Sequence, residues 1–223
     1  MSRRKAVFLF RRGFRMCYNG NIKGDDNMNL MKLLETRRTY RRFDQSRPVS
    51  AAAFNDMALA LRWSSSAGNL QPLRCVFVTD PQIVEAVFPH THFAALLPKE
   101  LGTPKPGEHP TMYVVLTYEK KTKWTDTDAG IALSNLTLAA WGHGVGSCIM
   151  DNIDRPDIAE ILHIPESVTI HSAVALGYPT HTSQIVEPKT PADLKYFLDA
   201  QKNYKVPKRP FSEFIFENRY PEV

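Results

Sequence analysis

The stretch Asp128-Ala-Gly-Ile-Ala-Leu-Ser-Asn-Leu-Thr-Leu-Ala-Ala-Trp-Gly-His-Gly-Val-Gly-Ser-Cys148 decides the fold. Its apolar residues Ile131, Leu133, Leu136, Leu138, Ala139 and Trp141 fall at all angles of a helical period, which predicts a helix over Asp126–His143 that is covered on every side. A short strand, Cys148–Met150, follows it. Between the two lies Gly142-His-Gly-Val-Gly146, which invites a dinucleotide-fold reading. That fingerprint needs strand, glycine turn and helix in this order, because the helix N-terminus holds the pyrophosphate. Here the order is helix, glycine turn, strand, and the reading fails.

On the C-terminal side, Arg155–Leu162 reads as a helix and Ile170–Leu176 as a strand. On the N-terminal side, Met112–Tyr118 and Leu73–Thr79 read as strands, preceded by the polar loop Ser64–Pro72. Further upstream, Leu30, Leu33 and Leu34 give Asn29–Arg38 helical spacing. Pro48-Val-Ser50 opens a second helix, with Ser50 as N-cap and Phe54, Met57, Ala58 and Leu61 on one face. Helices and strands alternate without repeats or a dividing linker, so one α/β or α+β domain is expected. From Pro188 the pattern loosens, and Tyr204–Tyr220, rich in aromatic, basic and proline residues, reads as an extended arm that needs a surface to cover.

The chain has 223 residues, of which 43% are hydrophobic and 23% charged, enough for a sizeable core. No apolar run reaches the length of a membrane span. The net charge of +5 is wholly local, because residues 1–27 hold seven Lys/Arg and two acids while the other 196 residues carry 21 of each sign. A nucleic-acid face on the body is therefore not expected. The leader has too short an apolar run for a secretory signal and too little serine for a typical presequence, so it reads as a dispensable, disordered extension. Cys17, Cys75 and Cys148 are odd in number and widely spaced, which favours a reducing compartment and a cytoplasmic protein, with Cys75 and Cys148 filling core.

Three clusters bear on chemistry. Arg37-Arg-Thr-Tyr-Arg-Arg42 falls where the first helix ends; it suits a bidentate grip on phosphate or, equally, a solvated basic helix end. In Ser64–Pro72, Asn69 and Gln71 can donate and accept toward a heteroaromatic edge, although such residues also make ordinary turns. His90 and His92 are accompanied at ligand spacing by no carboxylate and no third histidine save the distant His109, so no metal site is expected.

Together these segments resemble the nitroreductase family of FMN-dependent oxidoreductases. The matches are Glu35-Thr-Arg-Arg-Thr-Tyr-Arg-Arg-Phe43, Ser66-Ala-Gly-Asn-Leu-Gln-Pro72, the central stretch quoted above, and Gly177-Tyr-Pro179. The resemblance implies an α+β fold, a three-layer α/β/α sandwich around a central mixed sheet, in an intertwined homodimer with FMN at the interface. It implies three parts: the leader 1–27, an FMN-binding domain 28–190, and an arm 191–223 that packs on the partner subunit. By motif position, Arg37, Arg38, Thr39 and Arg41 would hold the FMN phosphate and ribityl chain, with Arg41 reaching the N1/O2 edge. Ser66, Asn69 and Gln71 would line the ring or ribityl region, Asp151 and Asn152 would face N5 and O4, and Lys189 would add a last phosphate contact.

The implied activity passes hydride from NADH or NADPH through flavin N5 to a nitroaromatic, quinone or enone in a ping-pong cycle, without a catalytic side chain. The alternatives are a flavin-destroying or dehalogenating relative and a flavin store. The chain departs from the family pattern at Ser65 and Leu73, where proline and an aromatic residue are frequent, and at Asp151-Asn152, which replaces a Gly-Gly or Glu-Gly pair.

Overall fold

The computed structural model describes residues 30–190 and 192–220, together with the backbone of 7–9 and 15–17. Of the leader, the strands β1 (Val7–Leu9) and β2 (Arg15–Cys17) pair antiparallel. The rest of it, including the Met28 start expected for the domain, lies outside the described residues.

The middle of the molecule is a four-stranded sheet made of β3 (Leu73–Val78), β4 (Met112–Tyr118), β5 (Gly146–Met150) and β6 (Thr169–Gly177), in the order β3-β4-β6-β5. All three pairings are antiparallel. The parallel component expected of a mixed sheet is confined to an isolated bridge, Thr39 with Ser147, alongside β5.

Alternation along the two central strands sends residues to two separate cores. Tyr113, Val115, Ala173 and Ala175 face one side and pack with Val84 and Val87 of α3 (Pro81–Val87) and Ile158 of α6 (Arg155–Ile161). Met112, Val114, Leu116, Val174 and Leu176 face the other and pack with Ala53 and Met57 of α2 (Ala51–Arg62) and Ala129, Leu133, Leu136 and Ala140 of α5 (Thr125–Gly142). This is the expected α/β/α sandwich. On the first side Ala175 and Ala173 lie opposite Tyr113 and Val115, so small residues make room for large ones across the ladder.

Helix α1 (Leu30–Thr36) leads into the sheet's edge, and α2 begins where expected, with Ser50 Oγ accepting from the Ala53 N–H at 3.2 Å. The α3 helix was not legible beforehand; Asp80 caps it by accepting from Gln82 and Ile83 N–H, with Pro81 at its first position. Cys148 is buried as expected. Cys75 is not: it sits exposed on β3, whose outer edge no described strand covers. A strand pattern alone does not say which strand lies at the edge.

The arm folds partly on its own chain. Strand β9 (Tyr204–Pro207) runs parallel to β7 (Ser183–Val186) and antiparallel to β8 (Phe197–Leu198), burying Tyr204 completely. Beyond it, Phe211, Phe214, Ile215 and Tyr220 stay exposed. Among the described residues, no helix is long and apolar enough to cross a membrane.

Candidate cofactor site

The glycine turn has its use here. Gly146 and Gly177 pair across β5 and β6, and a Cβ on either would collide with the segment that follows α1, with Tyr40 Cβ at 2.9 Å for Gly146 and Phe43 Cβ at 2.9 Å for Gly177; at Gly146 it would also meet Pro179 at 2.7 Å. Their bare backbones let residues 39–43 lie flat on the end of the sheet, where Tyr40 N–H donates to Ser147 O at 2.9 Å and Phe43 bridges Pro179. Tyr40 stacks on Trp141 with ring centroids 4.9 Å apart, and the Trp141 indole N–H donates to Thr36 Oγ1 at 2.8 Å. The last turn of α5 thus fixes the exit of α1. With Tyr40 and Phe43 as inward anchors, the arginines between and before them turn outward.

Arg37, Arg38 and Arg41 meet at one pocket of about 220 Å³, lined also by Thr39, Tyr196, Val206 and Lys208. The Nε atoms of Arg37, Arg38 and Arg41 are buried and have no hydrogen-bond partner. Burial lowers the pKa of Arg37 and of Arg38, and for Arg38 the neighbouring Arg37 adds to the effect. Guanidinium keeps its charge under such conditions, so the pocket concentrates positive charge that among the described residues only the more distant Glu35 offsets, at Arg38. At Arg38 the helix-end reading is realised, since NH2 caps the α1 carbonyl of Leu34, while its buried Nε is left without a partner. Arg41 lies 4.5 Å over the Tyr196 ring and 4.8 Å over Tyr204, a cation–π clamp that fixes its fork. Beneath it, burial raises the Cys148 thiol, and Arg41 pulls the other way.

Behind the arginines His181 lies between Tyr40 and Tyr204, with ring centroids 5.4 Å and 5.1 Å away. Burial, aided by Arg42 and Arg41, depresses its pKa to about 3. It is neutral wherever the protein is folded at ordinary pH.

The other expected residues are placed elsewhere. Ser66, Asn69 and Gln71 form a self-contained turn: Gln71 N–H donates to Ser66 Oγ at 3.0 Å and its side-chain amide to Asn69 Oδ1 at 3.1 Å. Gly68, Asn69 and Gln71 all have left-handed backbones, with φ of 58°, 55° and 49°. The turn is tied to α5 through Ala67 N–H donating to Asp128 Oδ1 at 3.0 Å. Asp128 and Trp141 are separated by about 20 Å along the helix at 1.5 Å per residue. One chain therefore keeps the turn and the arginine pocket at opposite ends of α5.

Asp151 and Asn152 are exposed just past the end of β5, with Asp151 paired to Arg155 and Asn152 O accepting from His92 N–H at 3.2 Å. Ser147, beside Thr39, is the second residue of the same strand, so β5 spans the distance between the pocket and this pair. Lys189 is exposed and does not line the pocket; Lys208 does. Tyr196, Val206 and Lys208 were missed because the arm that carries them shows no periodicity that would fold it back onto its own chain.

The fold is an α+β sandwich with a cationic pocket at the end of α1. The chain belongs to the nitroreductase family, whose model matches residues 34–178. It is 28% identical over 167 residues, 70% of this chain and 89% of the relative, to a protein of Archaeoglobus fulgidus that carries both NADH dehydrogenase and NAD(P)H nitroreductase in its name. Among solved structures it superposes on an FMN-dependent nitroreductase of Clostridium difficile R20291 with TM-score 0.60 and 18% identity, covering 85% of this chain and 100% of that one. NfrA1 nitroreductase of B. subtilis superposes with TM-score 0.63 and 18% identity, covering 86% and 75%. At that identity the superpositions speak for the fold alone.

Proposed function

We propose that this protein is an FMN-dependent NAD(P)H oxidoreductase that reduces an electron-poor acceptor such as a nitroaromatic, a quinone or an enone. The observation that carries the reading is the trio of buried, unpartnered Nε atoms at Arg37, Arg38 and Arg41 around a pocket that also holds Thr39 and Lys208. A phosphate monoester, dianionic and rich in acceptors, matches that donor set, since each charge-assisted bond contributes about 1.5–3 kcal/mol. Family membership and the names of the relatives support FMN as its bearer.

Arg37, Arg38, Thr39 and Lys208 bind the phosphate, Arg41 offers its clamped charge to the N1/O2 edge, and the backbone of Asp151 and Asn152 serves the N5 and O4 side. When bound, FMN supplies the redox chemistry, taking hydride from NADH or NADPH and giving it up to the acceptor in a separate half-reaction. No acid or base of this chain is needed. Ser66, Asn69 and Gln71 lie too far along α5 to join the pocket of their own chain, so a second copy supplies them in a homodimer. A half-buried stripe on α5, Ile131 and Leu138, belongs to neither core and fits that contact.

The test is whether the purified chain is yellow and oxidises NADH or NADPH with a quinone. Arg38→Ala is expected to weaken FMN binding at least about tenfold with the fold intact. A colourless protein that binds no added FMN overturns the reading.

A further inference from the structure

The histidines set aside for want of a carboxylate acquire two from a distant segment. His90 Nδ1 lies 3.7 Å from Asp154 Oδ2 and 3.7 Å from Asp157 Oδ2, and these three ligand atoms all fall within 4.8 Å of one another. On the far side of the same carboxylate, His92 Nε2 sits 3.1 Å from Asp154 Oδ1. We propose that His90, Asp154 and Asp157 form a binding site for a divalent transition metal of the zinc class, with His92 as the residue that orients Asp154.

The distances favour ligation over plain pairing. A separation of 3.7 Å is too long for a hydrogen bond, and one imidazole nitrogen cannot donate to two carboxylates at once. It is close to the edge of a tetrahedron around zinc, about 3.3 Å for bonds of 2.0–2.1 Å. The remaining corner is open to water. One imidazole and two carboxylates suit zinc, cobalt or manganese better than magnesium and calcium, which prefer oxygen alone, or copper(I), which prefers sulfur.

The frame is rigid. Thr91 and Ile153 form an antiparallel bridge, Asp154 N–H donates to His90 O at 2.9 Å, and His92 N–H donates to Asn152 O at 3.2 Å. The ligand segments are thus locked by the two backbone hydrogen bonds of this bridge before any ion arrives. Asp154 also occupies the cap position of α6 without capping it, its carboxylate being turned to the histidines. A hydrogen bond from an imidazole to the free oxygen of a ligating carboxylate is the usual way such a ligand is aimed.

The experiment is calorimetric titration of the untagged full-length chain with zinc chloride, followed by cobalt(II) substitution. The expected result is one zinc per chain at micromolar affinity, a raised melting temperature, and the strong visible bands of four-coordinate cobalt. His90→Ala and Asp157→Asn each weaken binding more than about tenfold, His92→Ala by about 10-fold or more, and His143→Ala has no effect. Absence of micromolar binding overturns the proposal. So does zinc binding that survives the His90→Ala/Asp157→Asn double variant, which identifies an adventitious surface ion. The ligands touch nothing in the arginine pocket, but Asp154 lies two residues beyond Asn152, so zinc binding is read on the protein without added flavin, which keeps failure of the zinc site distinct from failure of FMN binding.

Discussion

The two ends of α5 present opposite kinds of polar chemistry. At the N-terminal end, Ser66, Asn69 and Gln71 satisfy one another and Asp128, and the turn they build is complete as it stands. At the C-terminal end, Arg37, Arg38 and Arg41 present buried donors with nothing to receive them. A folded chain tolerates unsatisfied buried donors only where the rest of the structure holds them in place. Here Trp141, the glycine pair and the two tyrosines of the arm do so. Desolvated charge of this kind is destabilising by itself, so under the proposed function the cationic end is the half that a ligand's charge would satisfy, whereas the loop end supplies a shape.

If the loop end completes the cationic end of a second copy, the largest effect comes from separating the copies. Leu138→Glu puts a carboxylate into the half-buried stripe of α5 without disturbing either core, and an unpartnered buried carboxylate costs several kcal/mol. Light scattering should then report a monomer, and FMN retention should fall at least about a hundredfold. A variant that is monomeric and still holds FMN shows that one chain suffices, and the comparison of the two ends loses its meaning.

The cationic end also carries a cost in acid. His181 titrates at about 3 when folded, against 6.5 for the ordinary imidazole, so between those values the unfolded chain binds the extra proton. Stability from this residue is complete above pH 6.5 and is lost as the pH falls toward 3, by at most about 1.4 kcal/mol per pH unit. Denaturant melts at pH 6.5 and 4.5 should show the native chain losing about 2 kcal/mol more than His181→Phe. Equal losses mean that His181 is solvated and that the arm does not seal the back of the pocket.

That seal is also where the sequence ran out. The sandwich was legible because its signals are periodic: α5 apolar on every side, β4 and β6 alternating, Ser50 poised to cap α2. The arginines were legible as a cluster but not in role, since the same residues suit a helix end and a phosphate. Arg38 does serve the helix end and still lines the pocket. Val206 and Lys208 join the site through long-range pairing of β9 with β7, and Tyr196 through the pairing of β8 with β9, which no local pattern announces. His90 and His92 needed Asp154 and Asp157, 62 or more positions away, before they meant anything.

The smallest effect tests the loop end directly. Ser66 Oγ already accepts from the Gln71 N–H, so Ser66→Ala removes one neutral hydrogen bond, which contributes about 0.5–1.5 kcal/mol, from a turn whose three left-handed residues depend on it. What the hydroxyl has left to offer a cofactor is its single O–H donor, uncharged and on the rim. FMN affinity should therefore fall less than about tenfold, against a larger loss for Arg38→Ala, with the melting temperature lowered only slightly. The comparison is made by dialysis of the two variants side by side. A Ser66→Ala loss as large as that of Arg38→Ala means that the turn binds the cofactor as strongly as the guanidinium groups do, and that hydrogen bonding within the turn does not mark it as the weaker half of the site.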